Sequence, residues 1–276
     1  MKGRSIAEAV LVFSALQIIL LFPEGIRNLA RWENNALGGS YFTGALMVAL
    51  GVFMIIIRRY EFNEMGVTGE HWRKSVNYGF RGWVFFIIPQ YLLSFILAWG
   101  VSYTESMELA GLLGVVILLF CFLMITRKEV NPAGNRRLVL IGLLLVSPLV
   151  LRFLYGETTT GLLKGFMWNI LIGGFAEEFF YRGYLQSSIN LEYGTNWRIG
   201  KVSFGPGLLV SSLLYGLGRG LRTIKPWRGV YSISWSWTLF AFTVGIFYGL
   251  IRESSGDIIG SGTAKSLIDA IGEALV

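Results

Sequence analysis

A chain of 276 residues that is 54% hydrophobic and only 15% charged, with mean hydropathy +0.58, lies outside the composition of soluble globular domains. The expected class is an all-α polytopic membrane protein. The net charge of +7 and pI near 9.6 would suggest a nucleic-acid partner for a soluble chain, but here the basic residues flank apolar runs, so membrane lipid is the expected partner and nucleic acid is not.

A span needs roughly 20 mostly apolar residues. In chain order the candidates are Ile6–Phe22, Tyr41–Ile57, Trp83–Val101, Leu109–Ile125, Leu138–Leu154, Gly165–Leu185, Leu208–Gly218, Trp235–Ile251 and Ile258–Val276. About eight transmembrane helices are expected. The Leu208–Gly218 run is short unless Val202–Phe204 extends it, and the last segment holds Lys265 and Asp269. The first run follows Lys2 and Arg4 as a signal peptide would, yet Phe22-Pro23-Glu24 is no small-residue cleavage site, which makes it an uncleaved span.

Basic residues alternate between connections. Arg58, Arg59, Arg73, Lys74 and Arg81 fill the second, and Arg127, Lys128, Arg136 and Arg137 the fourth, while Ser102–Glu108 has none. The positive-inside rule makes the second and fourth cytoplasmic, together with the N-terminus. One connection disagrees. Arg219, Arg222, Lys225 and Arg228 would fall outside by simple alternation, so either the seventh segment does not fully cross or these charges serve something other than topology. Trp227, Tyr231, Trp235 and Trp237 beside them read as an interfacial aromatic belt, with a framing of lateral substrate access as the alternative.

The chain divides in character rather than into soluble domains. Residues 1–155 read as conventional transmembrane helices and residues 161–276 as a C-terminal core, in one integrated membrane domain. Gly216 and Gly220, Gly245 and Gly249, and Gly256 and Gly260 are spaced for close helix approach. The single cysteine, Cys121, excludes an internal disulfide and a cysteine-based metal site. The one histidine, His71, lies in a polar connection and reads as an interfacial, solvated residue. No metal site and no cofactor is expected.

The chemistry is concentrated at Glu177-Glu178-Phe179-Phe180-Tyr181-Arg182. The run from Gly165 to Ala176 before it is uncharged, which puts the acids roughly 18 Å along a helix at ~1.5 Å rise per residue. A charge at bilayer depth costs on the order of 2.5–3.5 kcal/mol on the lenient insertion scale, so such groups face a bundle interior or watery cavity and read as functional. Glu178 and Arg182 at i and i+4 share a helix face, acid first, as in a favourable ion pair. Glu177 is rotated away, near Tyr181, and is expected to point into a cavity as a general base towards water. Tyr215 with Arg219, and Lys265 with Asp269, have the same spacing.

Taken together, Glu-Glu-x-x-x-Arg, the Tyr215/Arg219 pair and the Lys265/Asp269 pair resemble the CAAX protease and bacteriocin-processing family of glutamic intramembrane proteases. The likeness spans about Gly165–Ala270 and includes Phe179-Phe180-Tyr181-Arg182-Gly183-Tyr184-Leu185 and Ser211-Ser212-Leu213-Leu214-Tyr215-Gly216-Leu217-Gly218. The resemblance implies an eight-helix bundle with an intramembrane cavity. It also implies hydrolysis of a peptide bond in a hydrophobic or lipidated peptide substrate, with Glu177 activating water and Glu178 and Arg182 supporting the site. Tyr181 and Tyr215 would touch the substrate. The implied location is a multi-pass protein of a prokaryotic cell membrane.

Two departures bear on that implication. The family pattern has histidine where this chain has Arg219 and again where it has Lys265, whereas Asp269 fits its Asn-or-Asp position. Arginine stays protonated and cannot accept a proton, so the expectation is that Arg219 pairs with Glu177 instead and weakens it as a base. Lys265 with Asp269 retains the ability to support an oxyanion. Three readings stay open: an intramembrane endopeptidase, a catalytically impaired family member acting as a membrane binding or scaffold protein, and a small transporter. The third would need buried charge in both halves, and the spans before Arg152 have little.

Overall fold

The structure is a computed structural model that describes residues 3–98, 114–115, 118–119, 122, 131–154, 168–222, 224 and 232–275. Most of the expected fourth span with Cys121, the Ser102–Glu108 connection, and Arg127, Lys128, Lys225, Trp227, Arg228 and Tyr231 lie outside the described residues.

The chain is mostly helical. Helices α1 (Arg4–Leu21) and α3 (Tyr41–Arg58) match the first two expected spans, and among the described residues they are the helices long and apolar enough by length and composition to cross a membrane, at mean hydropathy 1.8 and 2.0. Between them runs α2 (Glu24–Leu37), an amphipathic helix that the search for apolar runs passes over because charged residues interleave its Ile26, Leu29 and Leu37. Arg27 Nη1 fixes the α1–α2 corner by donating to the carbonyls of Leu21 and Phe22 at 3.1 and 2.6 Å, which α1 itself cannot satisfy.

Helix α4 (Trp72–Ala98) begins eleven residues before the expected Trp83. Its polar first turns continue the helix because Asn77 and Ser75 find partners. Ser75 Oγ donates to Asp257 Oδ2 at 2.6 Å, and Asn77 Nδ2 donates to the carbonyl of Asn131 at 2.6 Å. Helix α5 (Asn135–Leu154) follows the connection at 131–134.

From Trp168 to Gln186 the helix is wound with i→i+5 turns, in two stretches named π1 (Trp168–Ala176) and π2 (Phe179–Gln186), with Glu177 and Glu178 between them. The expected sixth span is therefore helical but wider than the α geometry assumed from spacing. After α6 (Ser187–Tyr193), Val202–Phe204 does not extend a helix, contrary to expectation. It is β2 of an antiparallel hairpin with β1 (Trp197–Ile199), pairing Trp197 with Phe204 and Ile199 with Val202. The two-residue turn Gly200-Lys201 forces the hairpin, with Gly200 at φ 59°.

Helix α7 (Pro206–Leu221) opens with proline in its first turn, where a missing N–H costs nothing. Helices α8 (Trp235–Ser255) and α9 (Ile258–Leu275) end the described chain. Gly256 leaves α8 at φ 86°, and Asp257 Oδ1 accepts from the N–H of Ile259 at 3.0 Å, capping α9. Gly256 with Gly260 is thus a helix stop, not a packing pair. The other two glycine pairs do bring α7 against α8: a Cβ at Gly216 would stand 2.7 Å from the Thr238 carbonyl, and one at Gly245 3.1 Å from Ser212 Cα. One apolar core joins α1, α3, π2 and α7, and another joins α4, α5, α8 and α9.

Candidate functional site

Two stripes converge on the helix from Trp168 to Gln186. Along α7, Ser211, Tyr215 and Arg219 follow one another at i+4, and Arg222 follows Arg219 at i+3. One face therefore presents all four. Along α9, Ser261, Lys265 and Asp269 do the same.

Glu177 sits where the two stripes meet and is only 6% exposed. Arg219 Nη2 donates to its Oε2 at 2.5 Å, Arg222 Nη2 donates to its Oε1 at 3.1 Å, and Lys265 Nζ donates to Oε2 as well. Three cations thus share one carboxylate, and both of its oxygens are engaged. This corrects the expectation that Glu177 points into an open cavity. Arg222 was expected only in the basic connection after α7. Its i+3 relation to Arg219 was the available signal, because any geometry that turns Arg219 inward brings Arg222 with it.

Lys265 does more than neutralise. Its Nζ also donates to the carbonyl of Gly173 in π1, so the ammonium bridges a backbone carbonyl and the Glu177 carboxylate. Asp269 lies one turn on, with Oδ2 3.4 Å from where a Cβ at Gly173 would stand. The pair Lys265 and Asp269 is therefore directed at Gly173 and Glu177 together.

Glu178 and Arg182 form the second charged centre, both fully buried, with Nε to Oε2 at 3.7 Å. The attraction is Coulombic rather than hydrogen-bonded: among the described residues neither Glu178 oxygen has a hydrogen-bond partner. Arg182 is held from the far side, where Nη1 donates to Ser211 Oγ at 2.9 Å. Spacing alone did not single out Ser211, whose hydroxyl turns out to tie α7 to the buried arginine.

Tyr181 and Tyr215 are buried and pack edge to face at 5.1 Å. The face of Tyr215 is surrounded by charge, with Arg182 Cζ, Arg219 Cζ and Lys265 Nζ at 5.5, 5.2 and 5.8 Å from the ring centroid. The negative face of the ring offsets part of the excess positive charge that one carboxylate leaves. In this geometry Tyr215 packs against the charged cluster and Tyr181 against Tyr215.

His71 is exposed in the connection before α4 and lines a groove at that end of the bundle, so it contributes nothing to Glu177. The mismatch of Arg219 and Arg222 with simple alternation of charge also has a reason here. These two side chains reach into the bundle to Glu177, and their charge need not report topology.

Residues 159–271 match the family model described as Type II CAAX prenyl endopeptidase Rce1-like. No curated protein and no solved structure matches the chain.

Proposed function

The segment 159–271 is a domain of the Rce1-like family, and from that premise we propose that the chain is a multi-pass member, of about eight spans, whose intramembrane site binds a hydrophobic or membrane-associated peptide segment without hydrolysing it. The family is membrane-embedded and suggests protease function, and α1 and α3 fit a membrane setting. The observation that carries the non-hydrolytic reading is the clamp on Glu177. A general base needs a free lone pair within hydrogen-bond reach of water. Here Arg219 and Lys265 fill both lone pairs of Oε2 and Arg222 takes one of the two on Oε1, with fixed positive charge beside what remains. An arginine cannot relay the proton that a histidine would accept, so the charge arrangement stabilises an ionised Glu177 and removes its use as a base.

A second reading, hydrolysis by water activated at Glu177, is favoured by a specific arrangement: the Glu177-Glu178-Arg182 run is retained, and Lys265 stands beside Gly173 and Glu177 as a donor able to support an oxyanion. In that reading Glu177 activates water, Glu178 and Arg182 hold the helix, and Lys265 with Asp269 stabilises the tetrahedral intermediate.

One experiment separates them. The purified full chain in detergent or nanodiscs is incubated with a peptide library, and products are read by mass spectrometry beside Glu177→Ala. The binding reading expects identical product profiles for the two proteins. Cleavage that disappears with Glu177→Ala would sink it and establish the peptidase. The double variant Arg219→His/Lys265→His removes the two fixed cations from Oε2 and is expected to create Glu177-dependent cleavage, since general base assistance contributes roughly 10²–10⁴-fold.

A further inference from the structure

At the end of the bundle where α4 and α5 begin, two adjoining hollows of about 790 and 510 Å³ share Asn131 and Pro132 as a common wall. Arg73 and Lys74 line the larger, and Arg81, Arg136 and Arg137 the smaller. Glu70 is the acid that lines the larger. We propose that this groove is the headgroup site of one anionic phospholipid.

The basic residues are built in rather than scattered. Asn77 is fully buried, and its two ends have separate duties: Nδ2 donates to the carbonyl of Asn131 at 2.6 Å, while Oδ1 accepts from Arg137 Nη1 at 2.7 Å. One buried amide therefore fixes both the wall of the groove and the guanidinium that faces it. Arg73 is fixed similarly, with Nη1 donating to Asn135 Oδ1 at 3.1 Å and its carbonyl accepting from the N–H of Ala133 at 3.0 Å. Pinned guanidiniums present their remaining N–H donors in a set direction, which suits the oxygens of a phosphodiester.

The position of Arg136 and Arg137 argues against a purely structural role. They lie in the first turn of α5, where the partial positive charge of the helix dipole repels cations and that turn holds no acidic residue. An anion at that place relieves both the repulsion among the arginines and the unfavourable dipole.

The lipid, rather than a free phosphate, follows from what lies beyond the groove. Val139, Leu140, Leu143, Val146 and Val150 are all exposed at helical spacing along α5, Leu143 by 63%. The stripe starts at the groove, since Leu140 lines it, and runs away from it along the helix. A phosphate on the arginines with acyl chains laid on this stripe uses both surfaces, and basic pockets between transmembrane helices are suited to anionic headgroups. The assignment needs the membrane setting but is independent of the chemistry at Glu177.

The test uses the purified full chain in phosphatidylcholine nanodiscs containing graded phosphatidylglycerol, with retained lipid read by native mass spectrometry and folding by thermal unfolding. The native protein is expected to retain phosphatidylglycerol over phosphatidylcholine by about tenfold. Preference should fall close to parity in Arg81→Gln/Arg136→Gln/Arg137→Gln and stay unchanged in the charge-matched Arg31→Gln/Arg59→Gln/Arg198→Gln. Arg136→Gln alone, at an exposed side chain, should lose part of the preference with unfolding unchanged. Parity in the native protein, or equal loss in both triple variants, overturns the site. Displacement of phosphatidylglycerol by millimolar inorganic phosphate overturns the lipid assignment.

Discussion

Arg182 is the residue on which the interior charge balance turns, because it neutralises Glu178 and is itself held by Ser211. Removing one partner of a buried pair strands the other and typically costs about 3–5 kcal/mol. Arg182→Ala should therefore lower the unfolding midpoint in detergent sharply, and an unchanged midpoint would contradict the burial of the pair. Outside the bundle, Glu192 shows the opposite balance. The Ser5 side chain beside its carboxylate, together with the N–H groups of Gly3 and Ser5 that donate to it at 2.7 and 2.8 Å, holds its pKa down at about 2. A depressed carboxylate contributes stability that is present above its unfolded value of 4.5 and lost as pH falls toward 2. Hydrogen exchange at the start of α1 should accelerate in that window and be already fast in Glu192→Gln. Burial instead raises the pKa of Asp257, so its sign is reversed: its contribution is complete at low pH and is lost as pH rises through the folded value.

Between elements, α7 approaches α8 closely. A side chain at Gly245 would meet Ser212 Cα at 3.1 Å and Arg182 Nη2 at 3.2 Å, whereas one at Gly142 in α5 would meet nothing within 4 Å. Overpacking costs typically 1–3 kcal/mol, roughly. Gly245→Leu should accordingly destabilise by about that much while Gly142→Leu stays near neutral, and equal midpoints for the two would argue against contact between the helices. The glycine spacing in the sequence announced this contact, and apolar run length announced α1, α3, α5 and α8. Helix α2 and the hairpin were not legible, because an amphipathic helix and a two-residue turn produce no long apolar run. The width of π1 and π2 was invisible for a different reason. Residue spacing reports which side chains share a face only once a turn angle is assumed, and the sequence around Glu177 does not carry that angle. The Glu178–Arg182 contact survived the change because neighbours about one turn apart remain neighbours in either geometry. Arg222 and Ser211 were missed since their roles depend on which way α7 is rotated.

For the whole molecule, a chain of contacts places distant parts of the sequence at one end. Gly3 and Ser5 bond Glu192, Asn190 bonds Glu253 at 2.8 Å, and Ser254 lines the groove with Lys201 and Asn131. The N-terminus and the 131–134 connection therefore lie on the same side of any membrane that the bundle crosses. By the positive-inside rule we propose that this side is the cytoplasmic one. Cysteines placed at Gly3 and Asn131 should both resist an impermeant thiol reagent added to intact cells and react after permeabilisation. Labelling of only one from outside would break the shared end, and labelling of both would invert the orientation.

The clamp on Glu177 has a consequence for how the protein responds to its surroundings. A pair of histidines at positions 219 and 265 would titrate near neutrality and make the deepest site a reporter of acidity. Arginine and lysine have no ordinary protonation change between about pH 5 and 8, and the one histidine in the chain stands exposed at another end. The residues that stand at 219 and 265 therefore carry the same charge in an acidifying compartment as in a neutral one, so a signal carried by proton concentration cannot loosen the clamp through them.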